Sequence, residues 1–291
     1  MLRARRQERC FAHGIHPPEA KDDTRDLPIK QFPFAPVMIV PLLQHIGKPA
    51  LPVVREGQEV ARGQVLADTD WHIDRLYAGL VPDATVVRAT FHRYVIDANR
   101  PPDGASLYPG QNTTGLVPET DFDGQPIWTA PPTPAEIEER RQTFHAPYHA
   151  ALAAQIARVR ARHGVAILYD CHSIRSHIPF LFEGRLPDFN IGTAGGTACA
   201  PQVADLVAGC CARAEGFRWV LDGRFKGGWT TRHYGRPDEG VHAVQMELAQ
   251  ATHLSHEAPP FAYDADRAAP LRGHLGTILN GLCALAPTLR A

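Results

Sequence analysis

The apolar run Val165-Ala166-Ile167-Leu168-Tyr169 leads straight into Asp170-Cys171-His172-Ser173, and this junction constrains the fold more than any other stretch. Five apolar residues behind Gly164 have the length and composition of a buried strand. An acid, a thiol, an imidazole and a hydroxyl at its end put polar side chains at the carboxyl edge of an α/β sheet, where open sheets place their ligands. Buried polar groups need partners, so the imidazole there either ligates a metal or caps the strand through hydrogen bonds.

Composition narrows the classes. A chain of 291 residues can bury a substantial core as one large domain or two small ones. A net charge of -1 gives no electrostatic footprint for nucleic acid or an anionic membrane. No apolar stretch approaches the length of a membrane span, and the basic start Met1-Leu2-Arg3-Ala4-Arg5-Arg6 is not followed by the apolar core of a secretory signal. Six cysteines without CxxC spacing point to a reduced, cytoplasmic protein rather than a disulfide scaffold or an iron–sulfur protein.

The chain reads as two unlike parts. Residues 1–67 are proline-rich with short β-type runs, and the stretch around Gly57 and Gly63 has the pattern of small strands in a barrel or sandwich. From Asp68 onward the pattern is an α/β alternation. Strands are expected at 84–90, 93–100, 165–169, 217–221 and 241–248. Residues 101–132 form a long Gly/Pro/Thr-rich loop of the kind that is usually functional. Thr133-Pro134-Ala135-Glu136 predicts a capped helix start, with Pro147 bending or splitting the helix that follows. Further helices are expected at about 199–214 and 264–286.

Three places carry chemistry. Arg93, Asn99 and Arg100 offer planar forks and an amide suited to a carboxylate, unless the arginines pair with Asp97 or Asp103. The loop Gly223-Arg224-Phe225-Lys226-Gly227-Gly228 adds cations among glycines but lacks any phosphate-loop motif, which favours a carboxylate clamp over a nucleotide site. Glu247 ends the apolar stretch Val244-Gln245-Met246. A buried carboxylate there pairs with a cation, takes up a proton, or acts as a general base.

Asp68-Thr69-Asp70-Trp71-His72, Asn99-Arg100-Pro101-Pro102-Asp103-Gly104, Asp170-Cys171-His172-Ser173 and Leu186-Pro187-Asp188-Phe189-Asn190-Ile191-Gly192-Thr193 resemble the N-formylglutamate deformylase (amidohydrolase) family. So do Gly223-Arg224-Phe225-Lys226-Gly227-Gly228, Thr231-Arg232-His233-Tyr234-Gly235 and Val241-His242-Ala243-Val244-Gln245-Met246-Glu247-Leu248. The motifs follow in order over residues 68–286. The resemblance implies a mixed-sheet α/β zinc hydrolase related to the carboxypeptidase and aspartoacylase group. Its expected reaction, in histidine degradation, cleaves N-formyl-L-glutamate to formate and glutamate; a zinc deacylase of another N-acyl amino acid is the alternative. By the same likeness His172 and Asp70 are zinc ligands, with Asp68 competing for the acidic place, and Glu247 is the base that activates water. Arg93, Asn99, Arg100, Asn190, Arg224 and Arg232 bind a small substrate with carboxylates.

The amino-terminal part departs from that family. His13-Gly14-Ile15-His16-Pro17-Pro18 and Leu42-Leu43-Gln44-His45-Ile46-Gly47-Lys48-Pro49 resemble the start of the C subunit of the Rnf-type electron transport complex, without its iron–sulfur motifs. The chain is thus expected to join a β-rich segment (1–67) to a hydrolase domain (68–291). His45-Ile46-Gly47 lies where a deformylase carries its first histidine ligand. His45 is therefore either the third zinc ligand or a residue of the joined segment only, in which case the enzyme is impaired.

Overall fold

The computed structural model describes residues 68–289. The amino-terminal segment, and His45 with it, lies outside the described residues.

The order of elements follows from local chemistry. A short helix α1 (Ile73–Tyr77) buries Leu76 against the core. The helix predicted after Thr133 forms as α2 (Pro134–Arg140), with the full capping box: the Thr133 side chain accepts from the Glu136 N–H, and Glu136 Oε2 accepts from the Thr133 N–H at 2.8 Å. It runs through a π turn (Arg141–His145) into α3 (Ala146–His163). Pro147 lies just past that turn. A proline ring clashes with the carbonyl four residues back, and here that carbonyl belongs to Thr143 inside the widened turn. Pro147 therefore neither splits nor ends the helix. Gly164 ends it at φ 76°, a left-handed position a Cβ would strain.

The sheet contains β1 (Ala166–Ile174), β2 (Phe189–Gly192), β3 (Trp219–Leu221) and β4 (Val241–Ala249), in spatial order β1-β4-β2-β3. β1 and β4 are parallel, β4 and β2 antiparallel, and β2 and β3 parallel, so the sheet is mixed. Side chains alternate between faces. One face carries Val244, Met246, Leu248, Phe189 and Ile191, which pack with helices α4 (Pro201–Ala212) and α6 (Ala265–Leu285) into the main core. The other carries Asp170, His172, Gln245, Glu247 and Asn190. Between β3 and β4 lies a short helix, α5 (Trp229–Tyr234), whose Thr230 N–H donates to Asn99 Oδ1.

Several expectations are corrected. Residues 84–90 form no strand; they join no ladder, Thr85 Oγ1 accepts from Arg158 and Arg88 pairs with Asp74, and Val86 is 82% exposed. Residues 93–100 are turns. The Arg100 N–H bonds the Asp97 carbonyl, and Asp97 Oδ1 accepts the Asn99 N–H at 2.9 Å, so local hydrogen bonds outcompete a ladder. Asp170 to Ser173 do not follow a strand but lie inside β1, because pairing with Gln245 to Leu248 carries the ladder to Ile174. β2 is an addition, since its sequence runs into the Gly/Thr loop at 191–197. The strand at 217–221 is shorter, and the helix boundaries move by a residue or two.

Candidate active site

The site is built on the polar face of the sheet. β1 and β4 pair with His172 opposite Glu247, so the two side chains leave neighbouring strands on the same face. Both line a cavity of about 1360 Å³, together with Asp70, Arg93, Asn99 and Arg100.

His172 is held between two carboxylates. Its Nδ1 stands 3.4 Å from Asp70 Oδ2 and its Nε2 3.1 Å from Asp170 Oδ1. Burial works against the charged imidazole, but Asp170 and Asp70 outweigh it and hold the ring well above its usual range. Asp70 is fixed by its other oxygen, which accepts the Ser173 N–H at 2.6 Å. Its carboxyl is held low: desolvation opposes this, and His172 and that N–H prevail. Asp68 is committed elsewhere. Its Oδ2 accepts from the Tyr94 hydroxyl and the Phe122 N–H, both at 2.7 Å, and burial raises its carboxyl. Of the two rivals, Asp70 is the one beside His172.

Glu247 is only 8% exposed. Burial pushes its carboxyl up to about 8, with His172 pulling the other way. That value suits a group that both takes and returns a proton near neutrality.

The arginines are strongly anchored. Arg93 Nη2 donates to Asp97 Oδ2 at 2.6 Å and to Thr114 Oγ1 at 2.8 Å, and its guanidinium lies 4.4 Å from the Phe122 ring centroid. Arg100 donates from Nε to the Thr114 carbonyl at 2.8 Å, and its Nη1 is 3.7 Å from Asp97. The ion pairing with Asp97 thus exists, but it is buried and leaves both cations lining the cavity. Arg224 also lines the cavity and ties two loops together through the Leu181 and Asn112 carbonyls. Arg232 is not in the lining; it donates from Nε to the Gly227 carbonyl and lies over the Tyr108 ring. Asn190 sits opposite Glu247 on β2, buried, with Nδ2 donating to the Pro187 and Glu247 carbonyls. It stands beneath the base rather than in the cavity.

Asn99 is a hub. Its Oδ1 accepts the Thr230 N–H at 2.9 Å, which turns Nδ2 toward His172 Nε2 at 3.1 Å. Two helix histidines pin its loop: His149 Nε2 donates to the Ala98 carbonyl and His145 Nε2 to the Arg100 carbonyl. His145 is the last residue of the π turn. The long loop 101–132 contributes Tyr108, Thr113 and Thr114 to the cavity.

Sequence reasoning missed Asp170 and Gln245 as members of the site. Strand parity carries the signal, since each lies two residues before a chosen residue on the same strand.

The donor set fits zinc in part. An imidazole nitrogen and a carboxylate oxygen 3.4 Å apart suit it, since ligands about 2.0–2.1 Å from a tetrahedral ion stand about 3.4 Å from one another. Among the described residues, no three His, Cys, Asp or Glu side chains form a metal-holding group. Asp70 and His172 therefore fit as two ligands of a site that needs a further one.

A mixed sheet that sets an imidazole, carboxylates and anchored arginines around one cavity makes this an α/β protein with a polar, cation-lined site. Residues 37–254 match the family model described as N-formylglutamate amidohydrolase, and the chain belongs to that family. It is 47% identical over 251 residues to N-formylglutamate deformylase of Pseudomonas aeruginosa, covering 84% of this chain and 93% of the relative. It is 46% identical to N-formylglutamate deformylase of Pseudomonas putida, covering 83% and 91%. The crystal structure of N-formylglutamate amidohydrolase from Ralstonia eutropha JMP134 superposes with a TM-score of 0.64 at 25% identity, over 80% of this chain and 88% of that one.

A shorter likeness, 40% over 62 residues, joins 21% of the chain to 14% of the C component of the proton-translocating ferredoxin:NAD(+) oxidoreductase complex of Clostridium ljungdahlii. The shares matched by this protein and by the Pseudomonas aeruginosa deformylase together exceed the whole chain, so some residues carry both likenesses. No helix among the described residues is long and apolar enough to cross a membrane.

Proposed function

We propose that this chain hydrolyses N-formyl-L-glutamate to formate and L-glutamate, as a cytoplasmic zinc enzyme of histidine degradation on a carboxypeptidase- or aspartoacylase-like sheet. The observation that carries the reading is the pairing of His172 with Glu247, with Asp70 3.4 Å from the imidazole. Asp70 and His172 would hold zinc with one further ligand, for which His45 is the candidate the sequence offers. The family match beginning at residue 37 includes His45 and supports that assignment. A zinc ion there supplies positive charge that acidifies a water molecule and polarises the formyl carbonyl.

The chain's own residues do the rest. Glu247 takes the proton from water and returns it to the leaving amine nitrogen, so the carboxylate is regenerated. Asp170 Oδ1 stands 3.1 Å from His172 Nε2 and Asp70 Oδ2 3.4 Å from Nδ1, so the two carboxylates fix the ring between them. Arg93, Asn99, Arg100 and Arg224 face the glutamate carboxylates, with Arg232 and Asn190 behind them. Their anchors hold the cations in place before substrate arrives, which lowers the ordering penalty of binding.

The test is formate release by the zinc-loaded protein from N-formyl-L-glutamate, compared with release of the acyl group from N-acetyl-L-glutamate. Turnover of the formyl substrate in preference supports the reading, and preference for the bulkier acyl group would make the chain a different zinc deacylase. His45→Ala should lose zinc and activity together, since two protein ligands hold zinc poorly. Unchanged zinc content would remove His45 from the site.

A further inference from the structure

Gln245 has no part in the reaction as drawn, yet it is 3% exposed and lines the cavity. It lies two residues before Glu247 on β4, so both side chains leave the same face of the strand. A buried primary amide must place an acceptor oxygen and two N–H donors, and its neighbours decide which end points where. Here the orientation is fixed twice. The Gly228 N–H donates to Gln245 Oε1 at 2.7 Å, and Asn99 Nδ2 reaches the same oxygen at 3.5 Å.

Asn99 cannot be flipped, because its own oxygen accepts the Thr230 N–H. With two donors aimed at Oε1, the Gln245 Nε2 faces the other way, 3.4 Å from Glu247 Oε2. The packing allows little slack. A Cβ on Gly228 would stand 2.3–2.4 Å from the Asn99 amide atoms, so glycine is what lets this backbone approach the amides.

We propose that Gln245 is a positioning residue for Glu247: its Nε2–H holds Oε2 and leaves Oε1 as the oxygen that exchanges the proton. A carboxylate free to rotate presents either oxygen in many orientations. One oxygen tethered through an amide that is itself locked gives the other a single approach to the reacting atoms. The 3.4 Å contact is long for the free enzyme, and such bonds often tighten when substrate is bound. The proposal rests on the role of Glu247 as the base.

The experiment is a double-mutant cycle on formate release, with Gln245→Met and Glu247→Gln. Methionine keeps length and volume and deletes the amide. Gln245→Met should lower kcat by about tenfold to a hundredfold, the usual effect of losing an orienting partner, with KM within about twofold. In the Glu247→Gln background the same change should have little further effect, because there is no base left to orient. Gln245→Glu, which keeps the Gly228 acceptor but sets an oxygen against Glu247, serves if the methionine variant does not fold, and should show the same loss. A rise in KM alone, an unchanged kcat, or an equal loss in both backgrounds would overturn the proposal. A wild-type protein that releases no formate would defeat the functional reading and this inference with it. An active wild type indifferent to Gln245 defeats the inference alone.

Discussion

Asp97→Asn is the perturbation that tests how the site is held. Asp97 Oδ2 accepts Arg93 Nη2 at 2.6 Å and lies 3.7 Å from Arg100 Nη1, while Oδ1 accepts the Asn99 N–H. The side chains of Arg93 and Asp97 are 24% and 7% exposed, so this is a largely buried pair. Burial disfavours the Asp97 anion, and the two arginines outweigh it and keep its carboxyl low. Asparagine can keep the bond to the Asn99 N–H, but it turns an amide N–H toward the Arg93 guanidinium.

Removing one partner of a buried pair costs about 3–5 kcal/mol, and the low end, about 3 kcal/mol, applies because Arg93 retains Thr114 and some water. For a domain of this size that is a fall in Tm of about 6–12 °C. The assay is thermal denaturation at neutral pH, with KM for formylglutamate measured alongside. KM should rise as both cations lose their carboxylate partner. The sign of the pH dependence follows from the lowered carboxyl. Its stabilisation is present above the unfolded aspartate value of about 3.9 and is lost as pH falls through the folded value, so the difference from wild type should shrink in acid. A Tm equal to wild type at neutral pH would refute the account of the arginine anchors.

Three further outcomes are expected. Glu247→Gln should leave folding and zinc content unchanged and lower kcat by about 10²–10⁴-fold, read by formate release; an unaltered rate would make Glu247 structural. Gly228→Ala should displace the Asn99 amide and lower kcat by about tenfold to a hundredfold while the far-UV spectrum stays the same; full activity would show that the amide hub is dispensable. Burial lowers His92, His149 and His253 to about 4, so the unfolded chain binds more protons between that value and about 6.5. Their contribution is complete above about 6.5 and lost as pH falls toward 4. His253→Gln should therefore lose less urea midpoint between pH 7.5 and pH 5 than wild type does, and an equal loss would contradict the assignment.

The sequence made some of this visible and hid the rest for physical reasons. The helix start at Thr133 was legible because capping is local, needing only Thr133, Pro134 and Glu136. The strand candidates at 165–169 and 241–248 were legible as apolar runs, the first ending just before Asp170 to Ser173 and the second containing Glu247. Their pairing in register depends on a contact across 75 positions of chain and is not written in either run. Residues 93–100 misled because Val95 and Ile96 are buried like strand residues, yet Asp97 folds the backbone into turns. Gln245 was passed over because an amide beside a glutamate carries no signal until Gly228 and Asn99 are brought to it. That Asp70 rather than Asp68 stands beside His172 was hidden because Tyr94 and Phe122, which claim Asp68, come from other segments.

On the proposed reading, Asp70, His172 and Glu247 form a zinc-dependent centre for formylglutamate hydrolysis. The most direct test measures zinc bound per chain and formate released from N-formyl-L-glutamate in the same preparations of wild type and His172→Ala. About one zinc per wild-type chain, with turnover, is expected, and loss of both in the variant. A His172→Ala protein that releases formate at the wild-type rate would contradict it.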